Sequence, residues 1–321
     1  MKSKEVIAVA SRSFSKNNFL VDVLKERYPN TIFNLSGKTL YDEELIEFLF
    51  PADKAIIGLE EINIKTLDQL PRLKVVSKYG VGLNNLDLQA FVAKGIRLGF
   101  TPGVNKQSVA ELAFTLLMIS LRKIHQNHHE IITGEWPQEK GQELHGKTIG
   151  LLGFGHIGQK LASLIQPFRC KIQFFDAKDF TSKELEVICK SLSLDPGLLS
   201  QVPLSTILSS SDAISVHLPL LPSTENIISA FELSQMKSSV RIINTARGGI
   251  VNEVDLMDFL SGQPEAFAAF DVYLEEPVKN NPLFSLQNFF GTSHRSSLTI
   301  EGINSMGLAA IKGLDDNIIP N

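Results

Sequence analysis

Three features of the 321-residue sequence predict an α/β fold with two parallel-sheet domains. Short apolar runs alternate with amphipathic stretches along almost the whole chain, the pattern of repeated βα units. The length exceeds the roughly 250–300 residues at which a single core stops growing. A Pro- and Gly-bearing break, Thr101-Pro102-Gly103-Val104-Asn105, separates one series of runs from the next.

The first series predicts strands at Val6–Ala10, Thr31–Leu35, Ala55–Leu59, Lys74–Lys78 and Ile96–Gly99. Apolar residues at helical spacing predict helices over Phe19–Tyr28, Glu43–Phe50 and Leu86–Lys94. After the break, Asn105 is a good N-cap. Ser108–Leu121 then reads as a long, mostly apolar helix that something must bury, another subunit being one answer. The second series predicts strands at Thr148–Leu152, Lys171–Phe175, Ala213–Leu218, Val240–Asn244, Phe267–Asp271 and Phe289–Thr292, and a last helix over Thr299–Leu314. The stretch Lys178–Ser211, with a turn signal at Asp195-Pro196-Gly197, has no readable pattern.

Composition excludes several classes. With 43% hydrophobic and 21% charged residues, the chain has the make-up of an ordinary globular protein. A net charge of −4 leaves no basic face for nucleic acid or an anionic membrane. No apolar run approaches the roughly 20 residues needed to span a bilayer. Met1–Glu5 leads into a short strand-like run rather than the apolar core of a signal peptide. With only Cys170 and Cys189, a reduced cytoplasmic protein is expected rather than a disulfide-linked one.

One turn carries a specific signal. The run Thr148–Leu152 feeds into Gly153-Phe154-Gly155-His156-Ile157-Gly158, and a helical pattern follows. In a dinucleotide-binding turn, Gly153 would make the tight bend. Gly155 would let backbone approach a pyrophosphate, and Gly158 would let helix and strand pack closely. The helix N-terminus would face the phosphate charge. Asp176 lies 18 residues after Gly158 and ends the next strand, where a carboxylate can bind ribose hydroxyls. It would repel a 2′-phosphate, so NAD is expected over NADP, although Lys178 leaves some room for the latter. Without the flanking strands and acid, the glycines would be no more than a ligand-free turn.

Hydride transfer from an alcohol carbon needs a base, a cation for a carboxylate and a group that tunes the base. Arg247, at the end of Ile242-Ile243-Asn244-Thr245-Ala246, offers the planar guanidinium. His294 offers a base that titrates near neutrality, and Glu276 offers the tuning carboxylate. Read singly, Arg247 is equally a surface arginine at a turn and His294 a structural histidine. Spacing alone does not put Glu276 beside it.

Together these segments resemble the D-isomer-specific 2-hydroxyacid dehydrogenases, a family that includes phosphoglycerate, glycerate and D-lactate dehydrogenases. The resemblance runs through Tyr79–Asp87, Asn105–Leu112, the Gly153 turn, His217-Leu218-Pro219-Leu220, Asn244–Gly249, Asp271–Pro277 and His294. It implies an NAD-dependent oxidoreductase acting on a D-2-hydroxy acid or 2-oxo acid, 3-phosphoglycerate among the candidates. Arg247, Glu276 and His294 would be its catalytic set. His156 and Ile157 would meet the pyrophosphate through their backbone. Thr245 and Ala246 would meet the nicotinamide region, and Asp271 would bind the carboxamide. Val81 and Gly82 would hold the substrate carboxylate through their amides, with Lys78 and Tyr79 lining the substrate site.

The resemblance also implies a flavodoxin-like substrate domain, residues 1–100 and 294–321, interrupted by a Rossmann-like NAD domain, residues 101–293. A homodimer held by the Ser108–Leu121 helix is implied as well. Because the chain ends soon after the last helix, no C-terminal regulatory domain is expected. Some family members are corepressors, so a non-catalytic NAD sensor is the alternative function.

Two departures stand out. Arg295, Ser296 and Ser297 replace the small residues and glycine that commonly follow the histidine. Asn84 stands where Asp is usual. Outside the resemblance, His125, His128 and His129 share a helix face and read as a solvated surface rather than a metal site. Trp136 reads as interdomain packing, and His217 as either structural or close to the cofactor.

Overall fold

A computed structural model describes residues 4–320; the first three residues of the N-terminal stretch discussed above lie outside it. The chain divides into two units, residues 1–105 with 299–321, and residues 106–298. The divisions fall where helices begin. Lys106 opens one helix, and Thr299 caps the last one by accepting from the Gly302 N–H at 2.9 Å. His294 therefore belongs to the second unit, not to the first as the expected boundary at 293/294 had it.

The first unit is a five-stranded parallel sheet of β1 (Ile7–Val9), β2 (Thr31–Phe33), β3 (Lys54–Ile57), β4 (Val75–Lys78) and β5 (Arg97–Gly99), in the order β2-β1-β3-β4-β5. Both faces are covered, as parallel sheets require. Ile7, Val9 and Ile56 join one core, and Ala8, Ala10, Ala55 and Ile57 the other, following the two-residue alternation of a strand. The last helix, α10 (Ile300–Gly313), returns to this unit. Ser77 Oγ donates to Ala310 O at 2.6 Å, and a Cβ at Gly307 would lie 2.2 Å from Leu20 Cδ1, so a larger residue there would displace that side chain.

The second unit is a seven-stranded parallel sheet of β6 (Thr148–Leu152), β7 (Lys171–Phe175), β8 (Leu199–Gln201), β9 (Ala213–Val216), β10 (Arg241–Asn244), β11 (Phe267–Phe270) and β12 (Phe289–Gly291). Its order is β12-β11-β10-β9-β6-β7-β8. Strand order reverses between β6 and β9, the crevice at whose carboxyl end open α/β sheets bind ligands. The patternless stretch contains a helix, α7 (Ser182–Leu192), the short edge strand β8, and a helix at Leu204–Ser210. The long helix α4 (Lys106–Leu121) packs one apolar side into its own unit. Ala110, Ala113, Leu116, Leu117 and Leu121 are buried in the core of its own unit.

The helix α5 (Ile124–Ile132) carries the three histidines and has no buried residue. Among the described residues, no group of three or more His, Cys, Asp or Glu side chains is placed to hold a metal ion. Trp136 is 79% exposed rather than packed. Cys170 and Cys189 are unpaired and buried. Among the described residues, no helix is long and apolar enough to cross a membrane.

Candidate active site

The carboxyl ends of β6, β10, β11 and β12 carry the glycine turn and the Arg247, Glu276 and His294 set. Gly153 leaves β6 with φ +98, a conformation L side chains rarely adopt, and an added Cβ would meet His217 O at 2.7 Å. At Gly158, on α6 (His156–Ile165), an added Cβ would lie 2.2 Å from Gly153 O. At Gly155 it would meet nothing within 4 Å. Two glycines are thus demanded by packing, and the third leaves open the space beside the helix N-terminus. No side chain caps α6, and His156 and Ile157 form its first turn.

Asp176 follows β7. Its carboxylate accepts the Phe154 N–H at 2.7 Å and the Lys178 N–H at 3.0 Å, which fixes it beside the glycine turn. The open space at Gly155, the uncapped helix N-terminus and the carboxylate fixed beside the turn fit an NAD molecule.

His217 follows β9 and borders the same turn, its N–H donating to Leu152 O at 2.7 Å. Both ring nitrogens are shut off from water and have no hydrogen-bond partner among the described residues, although the residue as a whole is only half-buried. Burial pushes its pKa down to about 3. In the unfolded chain a histidine titrates near 6.5. Between these values the unfolded chain binds the extra proton, so stability falls as pH drops through that window, by roughly 1.4 kcal/mol per pH unit for this group. Urea midpoints of the protein and of His217→Leu, measured from pH 7 to 5, should diverge in slope, the variant being flatter. Identical slopes would remove His217 from the account.

The strands β10, β11 and β12 are neighbours in register, with Asn244 opposite Phe270 and Phe270 opposite Gly291. The turns that leave them therefore lie side by side. After β10, Asn244 folds the turn back on itself. Its Oδ1 accepts the Ala246 N–H at 3.0 Å and its Nδ2 donates to Arg247 O at 2.9 Å. Thr245 and Ala246 are buried within this turn, and Arg247 is half-buried. Burial lowers the Arg247 pKa and the Glu276 charge opposes the shift, so the guanidinium stands near that carboxylate and stays charged.

After β11, Glu276 Oε1 accepts the Tyr273 N–H at 3.0 Å, and Oε2 lies 2.7 Å from His294 Nδ1. His294 follows β12 with φ +48, a left-handed conformation that costs a non-glycine residue about 1–2 kcal/mol. Asp271 holds it there. Its carbonyl accepts the His294 N–H at 2.8 Å, and its carboxylate accepts the Arg295 N–H at 2.9 Å, the Ser296 N–H at 2.8 Å and the Thr292 hydroxyl at 2.5 Å. The Ser108 hydroxyl of α4 ties down Ser296 O from behind. Asp271 was expected to bind a carboxamide. With no exposed surface and three donors on its carboxylate, it serves here as the anchor of the His294 turn.

Tyr273, Asn244, Thr292 and Ser108 were not given roles by sequence reasoning. Tyr273 links two turns by donating from its hydroxyl to Thr292 O at 3.0 Å, a contact with no local sequence signal. Asn244 at a strand end before a turn was the one legible clue. Ser296 is buried, so its side chain lies inside the turn, whereas Arg295 is exposed.

The remaining site residues lie in the first unit. Lys78 ends β4 and is buried. Its ammonium donates to Gly58 O and to Asn85 Oδ1, the latter at 2.7 Å, so it supports the following loop from beneath instead of lining it. Tyr79 packs edge-on to Phe14, with ring centres 5.4 Å apart. Val81 and Gly82 are half-buried in the loop beyond.

This fold and turn define a dinucleotide-binding α/β protein. Residues 114–296 match the model of the D-isomer specific 2-hydroxyacid dehydrogenase NAD-binding domain. The chain is 34% identical over 271 residues to D-3-phosphoglycerate dehydrogenase of Methanocaldococcus jannaschii, covering 84% of this chain and 50% of that protein. It is 34% identical over 286 residues to hydroxypyruvate reductase of Thermotoga maritima, covering 87% and 89%. NAD-dependent formate dehydrogenase of Staphylococcus aureus in complex with NAD superposes with a TM-score of 0.77 at 28% identity, covering 98% and 99%. The chain belongs to the D-isomer specific 2-hydroxyacid dehydrogenase family, and its second unit is an NAD-binding domain. It spans about half the length of the phosphoglycerate dehydrogenases it matches.

Proposed function

We propose that the chain is an NAD-dependent oxidoreductase that interconverts a D-2-hydroxy acid and its 2-oxo acid. The observation that carries this reading is the convergence of Arg247, Glu276 and His294 at the ends of three adjacent strands, with His294 Nδ1 2.7 Å from Glu276 Oε2. Arg247 holds the substrate carboxylate and polarises the carbonyl. Glu276 accepts from Nδ1–H and so leaves Nε2 to take the hydroxyl proton. Glu276 is a positioning residue, and Arg247 and His294 are catalytic ones. The nicotinamide, when bound, accepts or supplies the hydride at the substrate carbon.

His156 and Ile157 offer backbone N–H groups to the pyrophosphate, Asp176 binds the adenosine ribose, and Thr245 and Ala246 face the nicotinamide region. The backbone amides of Val81 and Gly82 bind the substrate carboxylate, with Tyr79 beside them. The protein acts in the cytoplasm as a homodimer. Exposed Ile124, Ile131, Ile132 and Trp136 supply apolar surface for the partner.

The test is NADH oxidation against a panel of glyoxylate, pyruvate, hydroxypyruvate and 3-phosphohydroxypyruvate. Turnover on any of them supports the reading, and tight NADH binding with no turnover supports the sensor alternative. The relatives' name favours a phosphorylated substrate, whereas the inward commitment of Lys78 favours a smaller one. The panel separates these two. Arg247→Gln should lower kcat/KM by about 100-fold or more while NADH still binds; an unchanged value would remove Arg247 from the site.

A further inference from the structure

We propose that Glu184 is a coenzyme-specificity residue, which excludes NADP by holding the Lys178 ammonium away from the adenosine ribose. The proposal rests on the assignment of NAD to the Gly153 turn. Lys178 is the obvious threat to that specificity. Its N–H donates to the Asp176 carboxylate at 3.0 Å, so its side chain springs from the edge of the ribose site. A cation there is what a 2′-phosphate needs.

The structure shows where that cation goes. Lys178 Nζ lies 2.7 Å from Glu184 Oε1 and 4.7 Å from the centre of the Phe180 ring. Glu184 is in turn held by the helix it opens. Its Oε2 accepts the Thr181 N–H and hydroxyl, each at 2.9 Å, in the capping box of α7. These contacts and the Lys178 ammonium keep its carboxyl down at about pKa 2, so it is ionised throughout the physiological range.

Gln201 closes the loop from the other side, accepting the Phe180 N–H at 2.9 Å and donating to Lys178 O at 2.8 Å. An isolated surface ion pair contributes little. Here the carboxylate is oriented by two further donors and the ammonium rests on an aromatic face. A 2′-phosphate therefore meets the Asp176 charge on one side and a neutralised lysine on the other.

Glu184→Gln tests this cleanly, because glutamine keeps the capping box but loses the charge. Dissociation constants of NADH and NADPH are measured by nicotinamide fluorescence titration, with Glu184→Gln, Lys178→Ala and the double variant. Freeing the ammonium should tighten NADPH about threefold or more in Glu184→Gln, leave NADH within about twofold, and lose the gain in the double variant. A smaller change for NADPH with NADH intact, or a gain that survives removal of Lys178, overturns the proposal. Lys183 stays in every variant, so a gain due to it would be exposed by the double variant. Failure of the parent protein to bind either nucleotide would instead overturn the NAD assignment, and this inference with it.

Discussion

Replacing His294 by alanine should lower turnover by about 10²–10⁴-fold, the usual contribution of a positioned acid–base group, while NADH affinity changes by less than about twofold. The separation is expected because the turn is held through backbone atoms. The N–H groups of residues 294, 295 and 296 all bond to Asp271, and none of these contacts needs the imidazole. Alanine carries a cost at φ +48, so His294→Asn is the companion variant, asparagine being tolerant of left-handed backbone. Both should lose turnover equally in steady-state NADH oxidation. Near-parental turnover in the asparagine variant would rule out proton transfer by His294.

Gly248→Ala should cost about 3 kcal/mol or more of stability and remove turnover with it. A Cβ at Gly248 would sit 1.9 Å from both Tyr273 C and Tyr273 O and 2.4 Å from Leu274 N. These are backbone atoms of the turn that leads to Glu276, so no side chain can swing away to make room. The two turns must separate, which parts Arg247 from the Glu276–His294 pair. Gly262→Ala is the control, since an added Cβ there meets nothing within 4 Å. Its effect should be neutral or stabilising by up to about 1 kcal/mol. Urea unfolding of the two variants should differ accordingly, and a Gly248→Ala protein as stable as the parent would show that the turns are not locked together.

Most strands were legible because the central ones, β1, β3, β4, β6, β9, β10 and β11, are buried on both faces. A run such as Ile242-Ile243 or Ala268-Ala269 reads as apolar throughout, whichever helices cover it. The exception is β8, a three-residue edge strand, Leu199-Ser200-Gln201, which carries no apolar run. The helix α7 before it fully buries only Cys189, but Leu185, Ile188, Cys189 and Leu192 recur at helical spacing and pack on the core, so its stripe was there to be read. The long helix α4 was legible as a helix but not in what covers it. Its apolar surface is covered by its own unit, and a sequence gives no sign of whether such a surface meets the same chain or another.

The amino-acid sequence alone specified most of the nucleotide turn, because the contacts of Gly158 and Asp176 are made within one βαβ unit, where local spacing encodes local geometry, whereas Gly153 also lies against His217 O beyond β9. It also supplied the side chains for the chemistry. It took the folded chain to bring Arg247, Glu276 and His294 to adjacent strand ends, to set Asp271 as the anchor of the His294 turn, and to pair Lys78 with Asn85 and Lys178 with Glu184. Those outcomes depend on which strands become neighbours and in what register. Both are set by the burial of two whole sheet faces at once, not by any short stretch of residues.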